Sequence, residues 1–475
     1  MKQYETVIGL EVHVELATKT KIFCGCTTEF GGEPNTHTCP VCTGMPGSLP
    51  VLNRQVVDYA IAVGLATNCE INRHCRFDRK NYFYPDNPQD YQISQLYEPI
   101  CLNGYVEIGS GDKKKKVRIH EIHMEEDAGK LIHDAFEKES LVDYNRSGVP
   151  LIEIVSEPDM RSAEEVLACL EKLRTTIQYL GASDCKLQEG SMRADVNLSV
   201  REAGTDELGT RTEMKNLNSF KAIARAIAGE RARQIALIED GKRVVQETRR
   251  WDDTKEESFS MRSKEDASDY RYFPEPDLPG IFISQEWIDD VKAGEPEFKE
   301  AKKERYIAEF GLPVDDADII TDSKRMADFF EKTAGLCDNP QKTANWLMGD
   351  TLRLLKEHDM DADDIRFSPA NLAKLVRLTE EGTINSSVAT EVFEKIFTED
   401  VDPDKYVKEK GLAQVNDEGA LRETVQRVMD ENPGSVEDYR NGKEKAMGFL
   451  VGQTMKAMQG KANPGMVNKI LKELL

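Results

Sequence analysis

The sequence predicts an α+β fold. An N-terminal domain is built on a largely antiparallel sheet with one charged face and flanking helices, and only helices follow it. Three observations predict this. Short segments between Val7 and Lys215 alternate apolar and charged residues with period two, as half-buried strands do. Between them, residues 162–179 and 220–239 carry apolar residues at helical spacing instead. Beyond about Trp287 the alternation stops, and residues 299–310, 323–336, 343–358 and 369–380 all read as helices. A chain of 475 residues exceeds one compact core, so domains are expected at 1–293, 294–405 and 406–475.

In chain order, residues 7–16 place Leu10, Val12, Val14 and Leu16 on one strand face and Glu11, His13 and Glu15 on the other. Residues 24–50, rich in Gly, Pro, Thr and Cys, read as loop. Residues 53–67 have helical spacing through Val56, Val57, Ala60 and Val63. Residues 79–88 read as a loop heavy with aromatic rings, prolines and cations, and residues 269–277 as a second such loop. Strands are expected at 104–108 and 117–124, with lysines 113–116 at a solvated hairpin tip. The second of these strands runs into His123-Met124-Glu125-Glu126-Asp127-Ala128-Gly129-Lys130. Three adjacent carboxylates repel unless a cation or water lies between them, and Glu125 and Glu126 should face opposite sides of a sheet. Read alone, the stretch is either a site for a hard cation and a phosphate or a solvated acidic turn. Residues 151–155 form a short strand with one acid, Glu153, and Ser162 opens the next helix with a capping box to Glu165. Residues 193–200 then put Arg193, Asp195, Asn197 and Ser199 on one face, and residues 211–215 do so with Arg211, Glu213 and Lys215. Residues 411–415 read as loop or a short extended piece, and residues 421–475 return to helices.

Charge and composition bound the partners. A net charge of −23 excludes a surface that is basic all over, so a nucleic-acid partner must meet local basic patches or other subunits. One such patch is the stretch 440–475, where Lys443, Lys445, Lys456 and four further cations face only two acids. On helices it reads as a phosphate-backbone footprint or as a solvated basic face. No apolar run spans a bilayer and no signal peptide is seen, so a cytoplasmic location without membrane contact is expected.

Several strands thus offer acids and bases to one sheet face: Glu11, His13 and Glu15; Glu125 or Glu126; Glu153; Arg193, Asp195 and Asn197; Glu213 and Lys215. A wet cavity of that kind suits Mg²⁺ with nucleotide phosphates, since Mg²⁺ takes carboxylate, phosphate and water oxygens. His13 is softer and tolerates Mn²⁺ as well. A second constellation is Cys24-x-Cys26, twelve residues, then Cys39-x-x-Cys42. Four thiolates close a tetrahedral Zn²⁺ site, and with no open position such a zinc is structural. His37 lies close by and reads either as a competing ligand or, in preference, as a solvated loop histidine; the other six cysteines show no such spacing. There is no Gly-x-x-x-x-Gly-Lys-Ser/Thr loop and no Gly-x-Ser-x-Gly elbow, so an ATP site is not a P-loop and no hydrolase nucleophile is seen.

The runs at 7–13, 79–88, 123–130, 150–158, 215–220 and 269–277, with 345–349 and 445–453, together closely resemble the B subunit of the bacterial glutamine-dependent aspartyl/glutamyl-tRNA amidotransferase. The resemblance covers essentially the whole chain. It implies an α/β cradle, a helical domain and a small helical tail resembling the YqeY family. It also implies a heterotrimer with an amidase (A) subunit that frees ammonia from glutamine and a small bridging (C) subunit. The B subunit would use ATP and Mg²⁺ to phosphorylate the side-chain carboxylate of Glu-tRNA(Gln) or Asp-tRNA(Asn), and ammonia would then displace phosphate. By motif match, Glu11, His13, Glu126 and Glu153 are the Mg²⁺ candidates. Asp195, Glu213 and Lys215 are candidates for the nucleotide or the transferred phosphate, Lys215 as a catalytic group, with Arg193 and Asn216 also assigned to the nucleotide. Lys80 and Glu126 are candidates for the polar mouth where ammonia arrives, and the tail is the tRNA-binding part. Some members of the family lack the four cysteines, which keeps zinc out of the chemistry. Two rival classes are a non-catalytic tRNA-binding scaffold and a free-standing ligase that uses dissolved ammonia.

Overall fold

The structure is a computed structural model of the chain and describes residues 3–109, 111–133, 139–263, 270–414, 418–458 and 462–475. The chain divides into two compact units, Met1–Phe298 and Lys299–Leu475.

In the first unit, nine strands of the described residues form the main sheet. They are β1 (Tyr4–Glu15), β2 (Glu70–Ile71), β3 (Cys101–Ile108), β4 (Lys115–Glu126), β5 (Pro150–Ser156), β6 (Met192–Glu202), β7 (Thr212–Lys215), β8 (Glu247–Asp252) and β9 (Glu257–Ser263). Their order across the sheet is β9-β8-β7-β6-β1-β5-β4-β3-β2. Every neighbouring pair is antiparallel except β7 with β8. One face is apolar. Leu10, Val12 and Val14 of β1, Ile152 and Ile154 of β5 and Ile122 and Met124 of β4 are buried there. They share a core with helices α1 (Arg54–Ala66), α2 (Ala163–Leu180) and α3 (Phe220–Glu239). Each such aliphatic side chain contributes about 1.5–3 kcal/mol by leaving water. A one-residue slip of β1 would turn that face to solvent, so the apolar pattern fixes the register.

Side chains set where the helices begin. Asn53, Ser162 and Ser219 each accept a backbone N–H of the first turn of α1, α2 and α3. The capping box expected at α2 is half formed: Ser162 takes the Glu165 N–H, while the Glu165 carboxylate takes the N–H of Arg161 and the ammonium of Lys115.

Elsewhere the structure differs from the sequence reading. The two aromatic loops are partly strands and meet each other: Phe273–Pro274 pairs with Asp78–Asn81, which pairs with Tyr91–Ser94. Strands β8 and β9 are not among the expected strands; in β8, Arg249 is buried, donating to Ser258 and lying 3.5 Å from the fully buried Glu230 of α3.

The second unit is helical, as expected. Its described residues form two apolar clusters, one around Phe329, Phe330, Leu375 and Phe393 and one around Leu421, Leu450, Val467 and Leu471. Helix Pro403–Lys410 sends Val407 into the first cluster. The helix expected over 343–358 is interrupted by a π turn, Leu347–Thr351, where the Thr351 hydroxyl donates to the Trp346 carbonyl at 2.9 Å. Val415 and Lys461, both within stretches named in the sequence reading, lie outside the described residues. No helix among the described residues is long and apolar enough to cross a membrane.

Candidate functional site

The polar face of the sheet carries two clusters. Register builds the first: Glu153 of β5 stands opposite His13 of β1 on one side and His123 of β4 on the other. His13 Nε2 lies 3.4 Å from Glu153 and 3.7 Å from Glu125, and His123 Nε2 lies 3.0 Å from Glu153 and 3.7 Å from Glu125. Burial works against charge on His13, but Glu153, then Glu125 and Asp195, outweigh it and push its pKa up to about 9. The same contest raises His123 well above the usual imidazole range, and it holds Glu153 well below the usual carboxylate range. His13, Glu125 and Glu153 each offer a ligand atom within 4.8 Å of the others, which fits one small hard cation.

The second cluster lies one step along the same face. Glu11 stands opposite Asp195, and Asn197 opposite Glu213. Glu11, Asp195 and Glu213 offer oxygens within 4.8 Å of one another. Asn197 donates to Glu11 at 2.9 Å, and Thr248 donates to Glu213 at 2.7 Å. The Lys215 ammonium lies 2.6 Å from Asp195 and 3.1 Å from Glu213. Burial pulls its pKa down, and these two carboxylates more than reverse that. Glu11 and His13 are two residues apart on β1, so the clusters are separated by about 7 Å.

Three sequence expectations are corrected here. Glu126 does not join His13 and Glu153; Glu125 does. Glu126 points to the opposite side, where its carboxylate accepts from the Ile93 N–H at 3.0 Å and from Gln89 at 3.2 Å. Burial pushes its pKa up to about 8. Glu11 belongs with Asp195 and Glu213, in a cluster apart from His13 and Glu153. Asn216, at φ 67°, donates its side chain to the Trp251 carbonyl at 3.1 Å and joins neither cluster; it tethers the end of β7.

Lys80 pairs in register with Gln92, whose amide donates to the Glu126 carbonyl at 2.8 Å, so Lys80 and Glu126 share a neighbourhood. Its ammonium stands 5.1 Å from the ring centre of Tyr270. Arg193 stands opposite His13 and pairs with Asp127 at 3.0 Å. Two residues of the site are not singled out by the sequence, His123 and Tyr272. Burial raises the Tyr272 phenol, which lies within range of His123, Glu125 and Glu153. His123 is within reach of sequence reasoning, because it shares parity with Glu125. Tyr272 is not, because a distant loop brings it.

The four cysteines come together as expected, with Cys24, Cys26, Cys39 and Cys42 sulfurs all within 4.8 Å of one another. Cys42 accepts from the Cys39 N–H at 3.2 Å. A hydrogen bond from Cys24, with Lys21 adding to it, draws Cys42 below the usual thiol range, while Cys24, giving that bond, goes up. Four sulfurs at this spacing fit a closed Zn²⁺ site. His37 stands outside the cluster; its backbone N–H donates to Asn145 at 2.8 Å. Of the remaining cysteines, five are buried, and burial raises each of those thiols.

In the second unit, Lys443, Lys445 and Lys456 are exposed. Lys445 and Lys456 open and nearly close helix Lys445–Ala457, and at about 100° per residue they fall on nearly the same side. Lys443 pairs with Asp438 at 2.8 Å.

Comparison with known proteins first gives a class. Residues 6–289 match the family profile described as the GatB/GatE catalytic domain, and residues 328–475 match the one described as the GatB domain. Relatives along the full length then narrow it. The chain is 72% identical over 475 residues to the B subunit of the aspartyl/glutamyl-tRNA(Asn/Gln) amidotransferase of Agathobacter rectalis, with 100% of both chains covered. It is 69% identical over 482 residues to the corresponding protein of Lachnospira eligens, again with 100% of both covered. With that of Caldicellulosiruptor bescii it shares 57% identity over 476 residues, covering 100% of this chain and 99% of the other. The chain belongs to the family of B subunits of the aspartyl/glutamyl-tRNA(Asn/Gln) amidotransferases.

Proposed function

We propose that the chain is the kinase and transamidase subunit of a heterotrimeric amidotransferase. Its partners are an amidase (A) subunit and a small bridging (C) subunit. Its substrates are ATP and the side-chain carboxylate of Glu-tRNA(Gln) or Asp-tRNA(Asn). One observation carries the reading: two carboxylate clusters, drawn from five strands, share one sheet face with a lysine between two of the acids.

A carboxylate is a poor electrophile because it is anionic and resonance-stabilised. Transfer of the terminal phosphoryl group of ATP gives an acyl phosphate and ADP; ammonia then attacks the carbonyl carbon and phosphate leaves. Two anions must meet in the first step, so their repulsion has to be screened. Bound Mg²⁺ would supply that screening and polarise the phosphate oxygens. His13, Glu125 and Glu153 would hold one ion, and Glu11, Asp195 and Glu213 a second. Lys215 places a fixed positive charge beside the second cluster, and Arg193 one beside the first. On the other side of the sheet, Glu126 and Lys80 would form the polar mouth through which ammonia enters, before water competes. Zn²⁺ on the four cysteines would order the loop over that mouth. The helical domain expected at 294–405 would extend through helix Pro403–Lys410, whose Val407 packs in its core, and the YqeY-like, tRNA-binding tail would follow it.

Incubation of the complex with terminally labelled ATP and Glu-tRNA(Gln), without glutamine or ammonia, tests the reading. Label should pass to an alkali-labile acyl phosphate on the tRNA. If tRNA binds and no label transfers, the scaffold reading stands instead.

A further inference from the structure

We propose that Lys21 is the charge-balancing donor of the four-cysteine centre, its ammonium hydrogen-bonded to the metal-bound Cys42 sulfur and setting how tightly the metal is retained. The inference rests on the zinc reading above and extends it to a residue outside the ligand set.

Lys21 is fully buried, at 0% exposure. Among the described residues its ammonium has two hydrogen-bond partners: the Cys42 sulfur at 3.4 Å and the Tyr144 carbonyl at 3.2 Å. Among the described residues no carboxylate forms an ion pair with it. An ammonium taken out of water with one carbonyl and one neutral thiol is poorly compensated, and such burial is strongly unfavourable. The burial makes sense when the sulfur is an anion. Four thiolates around a divalent ion carry a net charge of about −2, and one ammonium halves it. The loop carrying the cysteines holds Glu29 and Glu33 but no lysine or arginine of its own between Cys24 and Leu52, so the compensating charge has to come from outside it.

The fold fixes Lys21 for this task from three directions. Its own N–H donates to the Cys26 carbonyl at 2.9 Å, so its backbone is tied to a cysteine of the first pair. The next residue, Ile22, donates to the Gly148 carbonyl at 2.9 Å. Gly148 sits at φ +81°, and a Cβ there would come within 3.6 Å of Lys21 Cδ. The lysine stem therefore lies along the Gly148 backbone, with its tip aimed between Tyr144 and Cys42. Donors to ligand atoms tune metal affinity without touching the metal.

The test uses the purified full-length chain, wild type and with Lys21→Met or Lys21→Arg. Zinc content and the rate of zinc release to a chromogenic chelator are measured. Each protein is also loaded with Co²⁺, and its sulfur-to-cobalt charge-transfer band is recorded. Lys21→Met should release zinc roughly 10–100-fold faster. Its cobalt band should move to lower energy, because losing the ammonium raises the sulfur lone pairs. Lys21→Arg, which keeps the charge, should move both readouts back toward wild type. Wild-type release and an unshifted band in Lys21→Met would overturn the role of Lys21 alone. A wild-type chain that takes up neither zinc nor cobalt would overturn the zinc reading, and this inference with it. Should Lys21→Met not accumulate in soluble form, Lys21→Gln is read by the same two measurements.

Discussion

Glu125 and Glu126 are adjacent in the chain and live in opposite chemical surroundings. Glu125 faces His13 and His123 at 3.7 Å each, on the polar side of the sheet. Glu126 faces an enclosed space shared with Phe23, Tyr91, Ile93 and the cysteine loop, and burial pushes its pKa up to about 8. Under the proposed function the first side would hold a cation and an anionic substrate; on the other, burial disfavours charge on a carboxyl beside a small cavity. The difference teaches that a run of acids is not one site. The pleat of a single strand divides it between two, and each should respond to different perturbations.

The largest expected effect is on the cluster side. Glu125→Gln keeps the shape and removes one charge, so ATP-dependent activation of the tRNA-bound carboxylate should fall by about two orders of magnitude or more, measured as phosphate released per enzyme per unit time. Extra Mg²⁺ should restore part of that loss, because a weakened site fills at higher concentration. It should not restore the amidation lost in Lys80→Ala, at the ammonia mouth on the other side, where the missing group is itself the cation. If Glu125→Gln amidates tRNA at the normal rate, the polar face is not the active site.

The next effect belongs to the cavity side. Metal analysis should find about one zinc per chain, as a closed four-thiolate site holds one ion. Cys39→Ser should lower that content and the thermal midpoint of the first unit. The Mg²⁺ dependence of the fraction that stays folded should not change. Full zinc retention in this variant would sink the assignment, and an altered Mg²⁺ dependence would mean that the two sides are not independent.

Local patterns are legible in the sequence on both sides of the sheet, whereas a bulge and long-range pairing are not. The β1 face reads directly, since Leu10, Val12 and Val14 alternate with Glu11, His13 and Glu15 without a break. The cysteines read directly too, because their spacing is local. In β4, Val117 and Ile119 are buried, and so are Ile122 and Met124, so the inward parity changes at about His120. The pairing shows why: Ile119 stands opposite Ser156, but Glu121 opposite Val155, which leaves one extra residue in β4. Counting forward from Val117 would send Glu125 inward and Glu126 outward, the reverse of what is found. No residue type marks that bulge. Likewise, nothing local to residues 79–88 announces that Arg79 will pair with Phe273.

A smaller effect is expected where neither side is touched. Neutralising Lys443, Lys445 and Lys456 together should weaken tRNA binding and make its salt dependence shallower by about one counterion per lost contact. ATP affinity, and turnover at saturating tRNA, should stay as they are. An unchanged Michaelis constant for tRNA would remove the tail from the binding reading.

The smallest effect is a pH dependence confined to the cavity side. The folded-state pKa of Glu126, about 8, lies above the ordinary value of 4.5 expected in the unfolded chain. Between those two values the unfolded state gives up the proton and the folded state keeps it, so stability falls as pH rises through that window. The stability this group contributes is complete below the unfolded value and lost by the folded one, at a slope of at most about 1.4 kcal/mol per pH unit. Glu126→Gln cannot titrate. Its amide still accepts from Ile93, so the cavity stays filled and hydrogen-bonded. Unfolding by denaturant at pH 6 and again at pH 7 should therefore show the wild type losing more stability than Glu126→Gln over that unit. The two should converge toward pH 4.5. A parallel pair of profiles would mean that Glu126 ionises inside the folded protein at an ordinary pKa. Water, or the Lys21 ammonium, would then reach it, and the contrast with Glu125 would be one of partners rather than of exposure to charge.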